Sequence, residues 1–149
     1  MSTITLVVLL VVALYVVRLV VQNNRRPTRL GSAGGRLAPL DGRPNAVSSQ
    51  TDRVPMQIEP WPFRDDLEST RAAVRSAIEG FGGARIVTDD PHYLHAVFTT
   101  PMLRFHDDVE FLFDESSQRV QIRSQSRAGR SDLGTNRKRV EILATLYYG

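Results

Sequence analysis

The sequence predicts an α+β fold in which a small antiparallel sheet of about four strands carries two helices on one face and follows an N-terminal transmembrane helix. Three observations support this prediction. The chain opens with a long apolar run. Four short segments further on alternate apolar and polar residues as strands do, and two segments beside them repeat apolar residues with the period of helices. The 149 residues leave room for one folded domain and no second core.

The first element is the apolar run Thr3–Val21, whose residues are almost all Leu, Val, Ile or Ala, with Arg18 as its one charged side chain. About 20 such residues span the hydrocarbon core of a bilayer, and an arginine near the end can extend to the headgroups. A secretory signal would normally open with positive residues, but residues 1–5 carry no charged side chain. We therefore expect residues 1–22 to be an uncleaved anchor, with the lipid bilayer as the partner of residues 3–21.

A polar segment rich in Asn, Arg, Pro, Gly and Ser follows the anchor. Such a composition cannot bury a core, so residues 23–42 are expected to form a flexible basic linker. Four arginines flank the predicted membrane boundary: Arg18, Arg25, Arg26 and Arg29. They either attract anionic headgroups or only fix the topology. Because most of them follow the span and no basic residue precedes it, the positive-inside rule places the domain in the cytoplasm.

The folded domain is expected at residues 43–149, with its first helix at about Asp66 to Glu79. Apolar residues recur there with helical spacing, at Leu67, Val74, Ala77, Ile78 and Phe81. Asp65 is a suitable N-cap for this helix, and Gly80 is a suitable stop.

Four segments with alternating patterns are predicted to be strands: residues 84–88, 93–100, 108–114 and 119–126. In the third of them Val109, Phe111 and Phe113 share one face. The sheet is therefore expected to have one apolar face and one face in water. A second helix, from about Asn136 to Tyr147, is expected to cover the apolar face beside the first helix.

The charge distribution argues against a nucleic-acid partner. The net charge is +3, but residues 1–43 carry +5, so the rest of the chain carries −2. Nucleic-acid binding usually needs a positive face on the domain itself, so no nucleic acid is expected as a partner. The chain contains no cysteine, which excludes disulfides, thiolate nucleophiles and cysteine metal sites.

Three polar stretches carry the most specific signal in the domain: Arg43–Gln50, Phe105–Glu110 and Arg123–Arg139. Together and in this order they resemble the domain of unknown function DUF1499, over about residues 43–146. The resemblance implies a small bacterial envelope protein or a plant plastid relative, often with a lipoprotein signal or a membrane anchor. It implies no reaction. Many relatives have a cysteine where this chain has Ala46, so any chemistry shared with them does not require a thiol.

The resemblance also bears on location. Lipoprotein signals imply a domain outside the cytoplasm, whereas the arginines after the span of this chain imply the cytoplasm. We expect a single-pass protein of the bacterial inner membrane. The side that the domain faces stays open, and the resemblance favours the periplasmic one.

The polar residues of the motifs form one candidate cluster. Its members are Asp107, Asp108, Arg123, Ser126, Arg127, Arg130, Ser131, Asp132, Asn136 and Arg137. One interpretation is an anion site, in which Arg127 and Arg130, with loop amides and a helix N-terminus, hold a carboxylate or a phosphate. The other is a structural network, in which Arg123 pairs with Asp108 and polar side chains cap the loop.

The sequence offers no clear pair of nucleophile and base. Asp107 and Asp108 are neighbours on a strand and point to opposite faces, so they cannot flank one bond. The same argument separates His92 from His95, which are both expected at the surface, so no metal and no cofactor is predicted. The expected function is a binding or accessory module of the cell envelope or of a membrane complex, with a membrane protein as a candidate partner. The alternative is an enzyme or an anion-binding protein that uses the candidate cluster.

Overall fold

The computed structural model describes residues 2–149 and confirms the α+β class, with three α-helices and antiparallel sheets. The chain begins with α1 (Thr3–Asn24), which is capped by the Ser2 hydroxyl through a hydrogen bond from Thr5 N at 3.2 Å. The 22 residues of α1 are long and apolar enough to cross a membrane, a property that N-terminal signal sequences share. The apolar stretch of α1 is not buried against the domain, so α1 is not a core helix.

The remaining elements are, in chain order, β1 (Ser32–Ala33), β2 (Arg36–Leu37), β3 (Ala46–Ser48), a 3-10 turn (Val54–Met56), β4 (Trp61–Pro62), α2 (Leu67–Phe81), β5 (Ala84–Asp90), β6 (Tyr93–Thr99), β7 (His106–Asp114), β8 (Arg119–Ser126) and α3 (Thr135–Tyr148). β1 and β2 form a small hairpin, and the other strands form one sheet. Both predicted helices and all four predicted strands are present, and their ends lie within two residues of the predicted ones.

The main sheet has six strands where about four were expected. β5 to β8 form an antiparallel meander, and both β3 and β4 pair with the free edge of β8. Ala46 of β3 lies opposite Gln125, and Trp61 of β4 lies opposite Val120. β3 and β4 contain only three and two residues, which is too short for an alternating pattern to be recognised in the sequence.

The ends of α2 lie at different residues from those predicted. The N-cap is Asp66 rather than Asp65, because the Asp66 carboxylate accepts from Ser69 N at 2.7 Å while the Ser69 hydroxyl accepts from Asp66 N at 3.1 Å. Gly80 does not stop the helix and lies inside α2, facing α3. The chain leaves the helix at Gly82, whose φ of 77° is a conformation that favours glycine.

The core lies between the two helices and one face of the sheet, as expected. It is built from apolar residues of every layer, among them Val74, Ile78, Leu94, Phe98, Val109, Phe111, Val120, Ile122, Val140 and Leu143. Trp61 of β4 stacks on Tyr147 with ring centroids 4.9 Å apart and also contacts Phe111. The aromatic side chain of β4 therefore joins the end of α3 to the centre of the sheet.

The opposite face of the sheet is covered as well, although it was expected to face water. The segment after α1 lies across it: Gly31 N donates to Glu110 Oε1 at 2.7 Å, Leu37 N donates to Gln50 Oε1 at 2.8 Å, and Leu37 is only 5% exposed. The segment 23–42, expected to be a flexible linker, thus contains residues that pack on the domain. This cover allows charged side chains of β7 and β8 to be buried.

Candidate functional site

The polar residues of the motifs lie in two buried clusters, one on each face of the sheet. Successive residues of a strand point to opposite faces, so Asp107 and Asp108 at the start of β7 belong to different clusters, as predicted. We call the two groups the helix-side cluster and the hairpin-side cluster. The first contains Asn45, Asp107, Ser124, Ser126, Asn136 and Arg139, and the second contains Tyr93, His95, Asp108, Glu110, Arg123, Gln125 and Arg127.

Asn136, in the first turn of α3, lies at the centre of the helix-side cluster. Its Oδ1 accepts hydrogen bonds from the Ser124 hydroxyl at 2.5 Å and from Arg139 at 2.9 Å. Its Nδ2 donates to Asn45 O and to Ser126 Oγ, both at 2.9 Å. A fully buried amide is thus satisfied at both ends, which ties α3 to β3 and β8.

Arg139 and Asp107 form the ion pair of the helix-side cluster. Arg139 lies one turn after Asn136 on α3, and it donates to Asp107 Oδ2 in the buried interior. Arg139 also stacks over the Phe98 ring, with its guanidinium carbon 5.2 Å from the ring centroid. The sequence analysis selected Arg137 from this basic run, but Arg137 instead donates to the carbonyl oxygens of Pro55 and Gln57, outside the cluster.

The loop between β8 and α3 is fixed by its own polar side chains. Asp132 accepts from Gly134 N at 3.1 Å and from Asn136 N at 2.8 Å, so its carboxylate satisfies amides at the start of α3. The Ser131 hydroxyl accepts from Leu133 N at 3.3 Å. These contacts correspond to the capping network that the sequence analysis gave as one interpretation. Arg130 is exposed and makes no such contact within residues 2–149.

Asp108 is the centre of the hairpin-side cluster. Arg127 holds it through two hydrogen bonds of 2.8 Å, and His95 Nε2 lies 2.8 Å from its Oδ1. Burial opposes ionisation of this carboxyl, but the bonds from Arg127 and His95 outweigh it and lower the pKa of Asp108 below its ordinary value. The bond to Asp108 in turn raises the pKa of Arg127. Asp108 is therefore a buried carboxylate that is held ionised.

Two predictions about this cluster are wrong. His95 was expected at the surface, but it is only 1% exposed because the segment after α1 covers its face of the sheet. The expected pair of Arg123 with Asp108 does not form. Arg123 lies directly opposite Glu110 in the register of β7 and β8, and it donates to Glu110 and to Gln125 instead.

Glu110 connects the hairpin-side cluster to the segment after α1. Its Oε2 accepts from Arg123, while its Oε1 accepts from Tyr93 Oη at 2.6 Å and from Gly31 N at 2.7 Å. Burial and the Glu110 carboxylate raise the pKa of Tyr93. Glu110 and Tyr93 were not among the predicted site residues. Glu110 lies between Val109 and Phe111 at the middle of β7, and a carboxylate among apolar residues of a strand is the one signal that could have identified it, because it needs a buried partner.

The end of α1 is joined to the domain at a single asparagine. The Asn23 side chain donates from Nδ2 to Arg104 O at 2.9 Å and accepts at Oδ1 from His106 N at 2.7 Å. The loop that it holds, residues 100–105, exposes Met102 and Leu103 beside the last turns of α1.

Among residues 2–149 no group of three or more His, Asp or Glu side chains is arranged to hold a metal ion.

These features define a small α+β domain with two internally paired polar clusters and an N-terminal apolar helix. The chain matches the family described as protein of unknown function (DUF1499) over residues 36–146, and it therefore belongs to that family. This confirms the resemblance found in the motifs. The match starts ahead of the predicted domain start at residue 43 and includes β2. No curated protein and no solved structure matches the chain.

Proposed function

We propose that this protein is a membrane-anchored binding module. In this proposal, helix α1 holds the folded domain against the membrane surface. The observation that carries the proposal is the junction at Asn23, which bonds the end of α1 to the start of β7 on one side and to the loop 100–105 on the other. A domain on a loose tether would not need these bonds. Held in this way, the loop presents its exposed side chains at the level where α1 leaves the bilayer.

The loop has the composition of a segment that enters the membrane interface. Met102 is 91% exposed and Leu103 is 69% exposed, and Arg104 follows Leu103. Transfer of large apolar side chains from water into the membrane interface lowers the free energy, and an adjacent arginine can contact lipid phosphates. Beside them a cavity of about 640 Å³ lies between this loop and Val16, Leu19 and Val20 of α1.

A binding role is favoured over catalysis because the ionisable groups of the polar clusters are buried and paired with one another. His95 is buried and hydrogen bonded to Asp108, and Asp107 pairs with Arg139 beneath α3. A general base must be within hydrogen-bond reach of its substrate, and neither group is accessible from outside. The enzyme alternative would have to use other residues than Asp107, Asp108 and His95 as its base.

The proposal includes a location. We propose the bacterial inner membrane, with the domain on the periplasmic face, on the basis of the lipoprotein signals of the family. The arginines after α1 favour the cytoplasmic face instead. A reporter protein fused after Gly149 distinguishes the two, since a reporter that is active only in the cytoplasm would contradict the periplasmic location.

The membrane contact itself can be tested with single-cysteine variants, because the chain contains no cysteine of its own. The full chain carrying Met102→Cys is labelled with an environment-sensitive fluorophore and reconstituted into vesicles that contain a nitroxide-labelled lipid. We expect strong quenching of this label. The matched control is Ser117→Cys in the turn between β7 and β8, at the far end of the sheet, where we expect none.

A second pair of variants tests the role of the junction. Asn23→Ala should reduce the quenching at position 102, because α1 loses its bond to the loop at Arg104 O and its bond to the start of β7 at His106 N. Asn24→Ala should not, since the Asn24 side chain bonds only to Val20 O within its own helix. Equal quenching at positions 102 and 117, or none at 102, would refute the proposal.

A further inference from the structure

A cavity of about 490 Å³ lies between the segment that follows α1 and the end of β8. Its walls contain six arginines and one acidic residue, Asp41. The arginines are Arg25, Arg26, Arg29, Arg43, Arg123 and Arg127. We call this space the arginine cavity. It is joined to the hairpin-side cluster, which supplies its floor.

Three of the six arginines are already neutralised. Arg43 pairs with Asp41 at 2.6 Å, Arg123 pairs with Glu110, and Arg127 pairs with Asp108 at 2.8 Å. Burial opposes ionisation of Asp41, but its bonds with Arg43 outweigh this effect and lower the pKa of Asp41. Each of these three acids thus offsets one positive charge.

The other three arginines have no counter-charge. Arg25, Arg26 and Arg29 are exposed, make no ion pair and no side-chain hydrogen bond within residues 2–149, and all line the cavity. Like charges that converge on one space repel each other, and the potential there is positive. An anion in the cavity would relieve this repulsion.

The floor of the cavity contains a fixed guanidinium. Arg123 is 3% exposed, and its terminal nitrogens are held by Glu110 and Gln125. Its Nε–H group is buried and has no acceptor within the described part of the chain. Arg123 therefore adds a positive charge at a fixed position beneath the cavity, and a fixed guanidinium loses little entropy when an anion binds near it.

We propose that the arginine cavity binds a phosphate-bearing anion. Planar arginine forks match the oxygens of a phosphate group, and three unpaired positive charges suit an anion that carries up to two negative charges. The volume is within the range of pockets for small molecules, about 300 to 1,000 Å³. The proposal deepens the proposed function, because it names the class of ligand that the module binds.

Two sources can supply this group: a soluble phosphate compound or the headgroup of an anionic lipid. A groove of about 600 Å³ adjoins the arginine cavity and shares Gln22, Asp41 and Arg43 with it. This groove runs along α1 past Arg18 and Leu19. A lipid could therefore place its phosphate in the cavity and its chains beside α1, and the experiment distinguishes this source from a soluble one.

The experiment uses the full chain in a non-ionic detergent and follows its unfolding by the fluorescence of Trp61, the single tryptophan, which is buried in the core. Inorganic phosphate and a water-soluble short-chain phosphatidic acid are titrated separately at constant ionic strength. Short-chain phosphatidylcholine, a zwitterion with no net charge, is the control for lipid binding without a net negative headgroup. We expect a saturable rise in unfolding temperature with one or both phosphate probes.

The variant Arg26→Gln/Arg29→Gln removes two unpaired charges, and Arg119→Gln is the matched control at the far end of β8. We expect the double variant to weaken binding at least about tenfold, since charge-assisted hydrogen bonds to phosphate are lost. The control should bind as the wild type does. These arginines make no internal bonds, so their loss should not unfold the domain.

Stabilisation by both probes supports a phosphate site open to soluble ligands, and stabilisation by phosphatidic acid alone supports a lipid headgroup site. No stabilisation by either probe, or equal weakening by Arg119→Gln, overturns the proposal. The quenching of the label at position 102 is measured on the same variants. Quenching without anion binding would support the membrane contact and refute only the anion site in the arginine cavity. Anion binding without quenching would support the anion site and refute the membrane contact.

Discussion

The ion pair between Arg127 and Asp108 is expected to be a major source of stability, and Arg127→Ala tests this. The change removes both hydrogen bonds of 2.8 Å and leaves Asp108 as a carboxylate that is only 1% exposed. His95 is then its one remaining charged or polar side-chain partner. A buried charge that has lost its main partner is costly, since water cannot reach it.

The magnitude follows from the geometry. Removing one partner of a buried ion pair costs about 3 to 5 kcal/mol, and Arg127 is partly open to solvent on the side of the arginine cavity, so we expect about 3 kcal/mol. Asp108→Ala should cost about as much, because it strands Arg127 and His95. In the double variant the two costs should not add, and the coupling should be about 2 kcal/mol.

The assay is unfolding of the full chain in detergent by urea, followed by Trp61 fluorescence. Arg130→Ala is the matched control, since it removes an arginine of the same loop that is exposed and makes no bond within residues 2–149. It should change the free energy of unfolding by less than about 0.5 kcal/mol. If Arg127→Ala were as stable as Arg130→Ala, the structural interpretation of this pair would be refuted.

Three further predictions concern the same domain. Folding lowers the pKa of Asp108, so its stabilising contribution is complete above its unfolded pKa of about 3.9 and is lost as the pH falls through the folded pKa. Asp108→Asn should therefore lose less stability in acid than the wild type does, as measured by urea unfolding at several pH values. A fragment of residues 31–149 should be more stable to urea than one of residues 43–149, because only the longer one keeps Gly31 and Leu37 over the sheet; equal stability would restore the flexible-linker interpretation. Asn136→Ala should cost about 3 kcal/mol or more, since four buried partners lose their bonds, and a thermal melt close to that of the wild type would contradict its central role.

The sequence predicted those helices and strands whose pattern of apolar residues extends along the whole element. The stripe of Leu67, Val74 and Ile78 and the alternation of Val109 and Phe111 each report a face that is buried along one whole element. β3 and β4 are defined by pairing with β8, and that pairing depends on residues about 60 to 80 positions away. No local pattern in two or three residues carries this information.

The candidate site was predicted as a set of residues but not as an arrangement. Half of the ten chosen residues are buried and hydrogen bonded, yet these are divided between the two faces of the sheet by the alternation of β7 and β8. The error over Arg123 came from treating the opposite face as solvated, since a buried carboxylate such as Glu110 is not expected there. Once the segment after α1 is known to cover this face, the pairs follow from the register.

Both polar clusters include a carboxylate at the start of β7, the end of the strand that is bonded to α1. His106 N bonds to Asn23 of α1, and the next two residues, Asp107 and Asp108, are fixed by Arg139 and Arg127 on opposite faces. The end of β7 that is bonded to α1 is thus held on both faces of the sheet. Ion pairs with fixed geometry specify one arrangement more strictly than apolar contacts, which tolerate sliding. The network therefore fixes the start of β7, to which Asn23 of α1 is bonded, in one position within the domain.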